Sequence, residues 1–463
     1  MRNEMYNPRL FGIWHKWISN ISKELGQVLT PRESLINPQG VNTVMEYGGN
    51  QQNGQHDILS PNSRFLLKLF RRYYASYTPI MPERHNRKEF GFIPFEGTMR
   101  RHMAFGNQAE LKSFVASKVP AHSYYSTAYY RNPAAPTMDQ KGWMGAELIF
   151  DLDADHLANA DKMTYDEMLV QIRSEMISLV DDYIMGDLGF SEDQVHISFS
   201  GGRGYHAHVR TPDIYTLGTN ERRELVDFMT CTGLDLDWVF PKRSDPIGSV
   251  SMGNGLVKPK MHNYRLIPSK DETGWKGRMR NSLENITSQI MTEAPKDFKK
   301  RYPSVKSGNE SIEKLADHLS RCHEEMFTKN TMGDLEPWEQ EILMKCLEDS
   351  KPLYAREVDK PVTPDIKRLI RLPGSLHGKT GLRVHPITRD ELTDYNPLMR
   401  AVPEVYTDDP VKVTMRKDMD LRMLDLREHL SGETEVPEFA AAFLIGRKYA
   451  DFGWASERRE RLF

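Results

Sequence analysis

Apolar positions recur along this chain with two periods, and each period marks a kind of element. Phe65, Leu66, Leu69, Phe70 and Tyr73 fall at helical spacing behind Pro61 and Asn62, which suit the first turn of a helix. Residues 88–92 and 100–105 alternate polar and aromatic side chains and predict a strand pair. Residues 147–153 are an apolar run closed by Asp151 and Asp153, and predict a buried strand. Met168, Ile172, Met176, Leu179 and Ile184 then trace one helical face over 164–185, with Gly186 as the stop. Strands follow at 195–200 and 205–210, joined by Gly201, Gly202, Arg203 and Gly204 as a hairpin tip. Two further helices are predicted over 311–349, broken between Gly333 and Pro337.

Strands interleaved with helices predict an α/β chain. The first 60 residues read differently. Trp14, Trp17, Ile18, Ile21 and Leu25 suggest an amphipathic helix, and residues 48–54 a polar linker. Such a helix either docks a partner or packs on its own domain.

At 463 residues, 39% hydrophobic and 27% charged, the chain can bury one large core or several ordinary ones. Lys and Arg total 62 against 65 Asp and Glu, a net charge of −3, so nucleic-acid contact must come from local basic patches. One candidate runs from Gly248 to Arg301, where Lys258, Lys260, Arg265, Lys276, Arg278 and Arg280 suit a groove along a phosphate backbone, with Tyr264 and Trp275 stacking on bases. A solvated surface explains the same run. Cys231, Cys322 and Cys346 are too few for a disulfide framework and fail the paired spacing of structural zinc. No apolar window suits a signal peptide or a membrane span, so a soluble intracellular protein is expected.

Side chains two apart on a strand share a face, so Asp151 and Asp153 leave the sheet together and offer hard oxygens to Mg²⁺ or Mn²⁺. Asp155 adds a third carboxylate in that register. Paired aspartates also occur in turns, where they accept backbone hydrogen bonds without a metal. The tip at 201–204 lets backbone N–H groups approach a phosphate, Arg203 can grip it with two bonds, and His206 can donate from the next strand. An ordinary turn with a solvated arginine fits equally. The stretch 358–382 carries Asp359, Asp365, Arg368, Arg371, His377 and Lys379 around a Pro-Gly turn and reads as a second phosphate clamp.

Three blocks in this order, ELIFDLDAD at 147–155, SGGRGYHAHV at 200–209 and DKPVTPDIKRLIRLPGSLHGKTGL at 359–382, resemble the catalytic small subunit of archaeal and eukaryotic-type DNA primase. Lesser matches stand at 88–92, 100–105, 187–190 and 436–450, so the resemblance runs from about residue 62 to the end. It implies a mixed-sheet primase core with an RNA-recognition-like sheet and a small helical insertion. The chain divides on that basis into an extension at 1–60, core at 61–285, insertion at 286–350 and core again at 351–463. The resemblance carries over Asp151, Asp153 and Asp359 as the catalytic metal ligands. It carries over Ser200, Arg203, His206, Arg371 and His377 as the nucleotide-phosphate contacts.

Relatives often carry a Cys/His zinc knuckle after the first carboxylates. Residues 154–190 hold no cysteine and only His156, so a helix is expected there and no zinc. Lys88 stands where relatives often have arginine. The implied activity is primer synthesis from NTPs or dNTPs on single-stranded DNA, with Mg²⁺ or Mn²⁺, in a heterodimer with a large iron–sulfur subunit. The implied place is the cytoplasm, at the nucleoid. A repair primase-polymerase, a metal-dependent nuclease and a non-catalytic binding subunit are the rivals.

Overall fold

The computed structural model describes residues 59–460 except 158 and 252–256, so the helix and linker expected in the first 54 residues lie outside the described part. Two compact units emerge, one containing residues 178–190 and 220–360, the other containing 59–177, 191–219 and 361–460. Helices and antiparallel sheets make up both, a mixed α/β fold.

The sheet unit begins with the expected helix, Pro61–Ser76, whose N-cap Ser60 accepts a hydrogen bond from the Ser63 amide, with proline in the first turn. Leu66, Leu69, Phe70 and Tyr74 are its buried stripe. Strands β1 (Phe90–Ile93), β2 (Arg100–Met103) and β3 (His122–Ser126) follow, then β4 (Leu148–Asp153), β5 (Val195–Phe199), β6 (Gly204–Val209), β7 (Leu369–Arg371) and β8 (His385–Ile387). They make two four-stranded antiparallel sheets, ordered β7-β3-β1-β2 and β8-β5-β6-β4.

In β4 Leu148, Ile149 and Phe150 are fully buried, and burial then alternates as Asp151 and Asp153 emerge around buried Leu152. The run is therefore a core strand whose last two turns of the pleat open one polar face. Thr363 donates to the Ile149 carbonyl at 2.6 Å and ties the third sequence block to this strand.

The helical unit packs Gly274–Thr292 with Asn309–Thr328 and Pro337–Tyr354. Pro337 and the Glu336 capping box start the last of these, where a break was expected. The helix expected at 164–185 is an α-helix over Tyr165–Ser178 that passes into a π-helical stretch, Leu179–Asp187. A two-stranded ribbon, Lys242–Ser251 with Val257–Arg265, completes the unit. Trp275 corrects an expectation: it is fully buried and donates to the Phe228 carbonyl at 2.8 Å, so its ring cannot stack on a base. Among the described residues no helix is long and apolar enough to cross a membrane.

Candidate active site

Antiparallel pairing of β4 with β6 sets Asp151 opposite His206 and Asp153 opposite Gly204. His206 Nε2 stands 3.5 Å from Asp151 Oδ1. Burial, with His208 and Arg371 close by, pushes the His206 imidazole well below its usual range, so it is neutral. Its Nδ1 is buried without a protein partner. Asp153 caps the short helical turn that follows, accepting from the Asp155 amide at 3.1 Å, so the turn chemistry anticipated for the motif is present. Asp155 pairs with Arg203, which also lies 3.9 Å from Asp153. Asp365 is likewise used locally, accepting from the Lys367 amide at 3.0 Å.

The glycine-rich tip is built for close contact. Ser200 Oγ accepts from the amides of Gly202 at 3.2 Å and Gly204 at 3.3 Å, which folds the tip and leaves Ser200 shaping the turn. A Cβ on Gly204 would sit 2.1 Å from the Leu152 carbonyl oxygen, and one on Gly201, at φ +78°, 2.7 Å from His377 Cβ. Tyr165 donates to the Gly202 carbonyl and Thr380 to the Gly201 carbonyl. The tip is thereby pressed against the third block.

Arg371 completes the arrangement. It lies opposite Tyr124 across the β7–β3 pair, its guanidinium 4.7 Å from the centre of that ring. Its Nη2 donates to His377 Nε2 at 2.9 Å and its Nη1 to His122 Nδ1, which also receives the Gly378 amide at 3.2 Å. Both imidazoles must be unprotonated to accept. Burial, with Arg371 adding its charge, drives His122 down to about 3 and His377 well below its range. Burial also lowers Arg371, against the upward pull of Tyr124, Asp151 and Asp153. The cation thus feels both strand-end carboxylates.

Below Asp151 the same face of β4 and β6 carries a network that the sequence did not reveal. Glu147, fully buried, lies 2.7 Å from Lys88 Nζ, 2.9 Å from His208 Nδ1 and 3.3 Å from Arg210 Nε, and accepts from Tyr129 at 3.0 Å. Burial opposes its ionisation, yet Lys88, His208 and Arg210 hold it well below the carboxylate range. Lys88 is fully buried in this pair and is not a surface contact for a substrate. The only advance signal was polar residues within the strand-like stretches 88–92 and 205–210; His122 gave none.

The structure therefore brings Asp151, Asp153, Ser200, Arg203, His206, Arg371 and His377 to neighbouring positions. Asp359 is half-buried in the helical unit, two residues before the chain enters the sheet unit at Pro361. Among the described residues no three His, Cys, Asp or Glu side chains are gathered so as to hold a metal ion.

Carboxylates at a strand end beside fixed cations form the kind of site that handles polyphosphate. The family model described as DNA primase small subunit matches residues 150–389. The DNA primase small subunit PriS of Methanocella arvoryzae is 39% identical over 402 residues, 84% of this chain and 98% of that protein. That of Picrophilus torridus is 37% identical over 390 residues, 83% and 97% of the two chains, and that of Methanococcoides burtonii 36% over 396 residues, 84% and 98%. The chain belongs to the DNA primase small subunit family. It is accordingly a nucleotidyltransferase of DNA replication.

Proposed function

We propose that the chain synthesises short primers on single-stranded DNA, transferring a nucleotidyl group from an NTP or dNTP to a 3′-hydroxyl and releasing pyrophosphate. The observation that carries this reading is Arg371, fixed by two neutral imidazoles and coupled to Asp151 and Asp153. A cation held in that way is placed for a triphosphate beside a carboxylate pair. Arg203, 3.9 Å from Asp153, is a second grip for the same polyanion. Of the amides at the glycine-rich tip, those of Gly202 and Gly204 are taken by Ser200, which leaves those of Gly201 and Arg203 for the phosphates. On the motif His206 is a further phosphate contact, its Nε2 standing 3.5 Å from Asp151.

Asp151 and Asp153 fit a hard divalent cation, since both are half-buried carboxylates leaving one face of one strand. On the motif, Asp359 is the third ligand. When bound, Mg²⁺ or Mn²⁺ lowers the pKa of the attacking hydroxyl and neutralises charge on the leaving group. The two antiparallel sheets are read as the primase core with its RNA-recognition-like sheet, and residues 286–350 of the helical unit as its insertion. With a net charge of −3, template retention depends on a second, large iron–sulfur subunit in a heterodimer, at the nucleoid in the cytoplasm.

The test is nucleotide incorporation on unprimed single-stranded DNA with Mg²⁺ or Mn²⁺. Asp151→Asn with Asp153→Asn, and separately Asp359→Asn, should each lower turnover by orders of magnitude. Unchanged yield from the double variant, or breakdown of labelled DNA without added nucleotide, overturns the reading.

A further inference from the structure

The ribbon Lys242–Ser251 with Val257–Arg265 plays no part in the site above, and it is made unlike the rest of the surface. Residues 241–250 and 257–261 are all exposed wherever they are described. Five Lys and Arg against one Asp over its two strands give it a charge of +4 in a chain whose net charge is −3. Along the second strand Lys258, Lys260, His262 and Tyr264 alternate onto one face, with Arg243 opposite Tyr264. His262 and Tyr264 stack, ring centres 5.4 Å apart. Their outer edges are fixed, His262 to the Gly333 carbonyl at 2.7 Å and Tyr264 to Asp245 at 2.6 Å. The aromatic pair is therefore a rigid, half-exposed step at the foot of a row of lysines.

The strands also leave aliphatic side chains in water, among them Val250, opposite Lys258 and so on the lysine face, at 47% exposure. A two-stranded ribbon gains little stability alone, so such side chains on it call for a covering surface. Lys242 and Arg265 are engaged by Asp237, at 2.7 and 2.8 Å, which keeps the base of the ribbon attached to its unit. Lys258, Lys260 and Arg243 remain turned to solvent.

We propose that this ribbon is a binding arm for single-stranded nucleic acid, its lysines on successive phosphates and its stacked aromatics and aliphatics against bases. Cations aligned beside aromatic and apolar surface are the combination that unpaired strands require, because duplex DNA hides the faces of its bases. The inference rests on the primase reading for its biological use, since an unpaired template must be held. Its test is arranged to be independent of catalysis.

Binding of the full chain to a fluorescent mixed-sequence DNA oligonucleotide, and to the matching duplex, is followed by anisotropy in EDTA without nucleotide. Lys258→Gln with Lys260→Gln should reduce the slope of log affinity against log salt by about 1.4, at roughly 0.7 per phosphate contact on a single strand. Lys118→Gln with Lys417→Gln, an equal charge change on exposed residues of the sheet unit, should leave it unaltered. Tyr264→Leu should weaken the single strand about tenfold, the lower part of the range for one lost base–aromatic stack, and the duplex little.

Equal slopes for the ribbon and control variants overturn the proposal and reduce the lysines to guards against edge-to-edge pairing. Equal losses on single strand and duplex overturn the preference for unpaired DNA. Loss of association with a co-expressed large subunit, with DNA binding intact, overturns the proposal in favour of a protein interface. Repeating the titration in Asp151→Asn with Asp153→Asn shows whether the arm works in a protein unable to incorporate nucleotide.

Discussion

Replacing His122 is the sharpest probe of the site, because it touches the cation without touching substrate. Its Nδ1 accepts from both Arg371 Nη1 and the Gly378 amide. His122→Ala leaves two part-buried donors without their acceptor, and at about 1 kcal/mol each the fold loses roughly 2 kcal/mol. Arg371 then keeps His377 and the Tyr124 ring but loses its second imidazole, so more of its order must come from the nucleotide. Re-ordering such a side chain and weakening one charge-assisted bond cost about 2–3 kcal/mol together, a 30- to 150-fold fall in kcat/KM for nucleotide.

His122→Asn keeps an acceptor close to the Nδ1 position and should restore incorporation to within about fivefold of the parent. The assay is initial-rate incorporation on unprimed template over a range of nucleotide concentrations, with thermal melting of each variant in parallel. An unchanged kcat/KM in His122→Ala refutes the positioning argument. So does an equal loss in both variants when both remain folded at the assay temperature.

Lys88→Met removes one cation from buried Glu147, and with Arg210 and His208 still in place urea denaturation should show a loss of about 3 kcal/mol, the low end for breaking a buried pair. Gly204→Ala drives a methyl into the Leu152 carbonyl and should cost about 3 kcal/mol while displacing Asp153; normal incorporation by that variant would show the β4–β6 register to be immaterial. Acidification should destabilise the fold before ordinary carboxylates titrate. His122 and His208, lowered by burial to about 3 and about 4, stay neutral when folded but protonate near 6.5 when unfolded. The unfolded chain then binds more protons, so stability falls as pH drops from 6.5 toward those values, by about 1.4 kcal/mol per unit for each imidazole. A urea midpoint constant between pH 6.5 and 5 would contradict this.

Much of the site was legible in order along the chain. Asp151 and Asp153 could be placed on one face because a strand has a period of two, and the period depends only on backbone geometry. The 201–204 tip could be read because glycine tolerates backbone approach that other residues forbid. The helices Asn309–Thr328 and Pro337–Tyr354 followed from local spacing and a proline start. Each of these inferences uses residues within a turn or two of one another.

What the sequence could not decide is who faces whom. Trp275 looked available for stacking, but its helix buries it against Phe228, a contact 47 residues away. Ser200 reads as a phosphate ligand, and only the fold shows that its oxygen also accepts from two amides of its own turn. His122 was one histidine among 15 until β3 and β7 paired and set it beside Arg371, 249 residues further on. Lys88 was one residue of a predicted strand, standing where relatives often have arginine, until folding enclosed it with Glu147, where an unpaired charge would be prohibitive. Periodicity and backbone rules act over a few residues and are written in the chain itself, whereas burial and charge pairing depend on which distant strands share a sheet, and only the tertiary structure settles that.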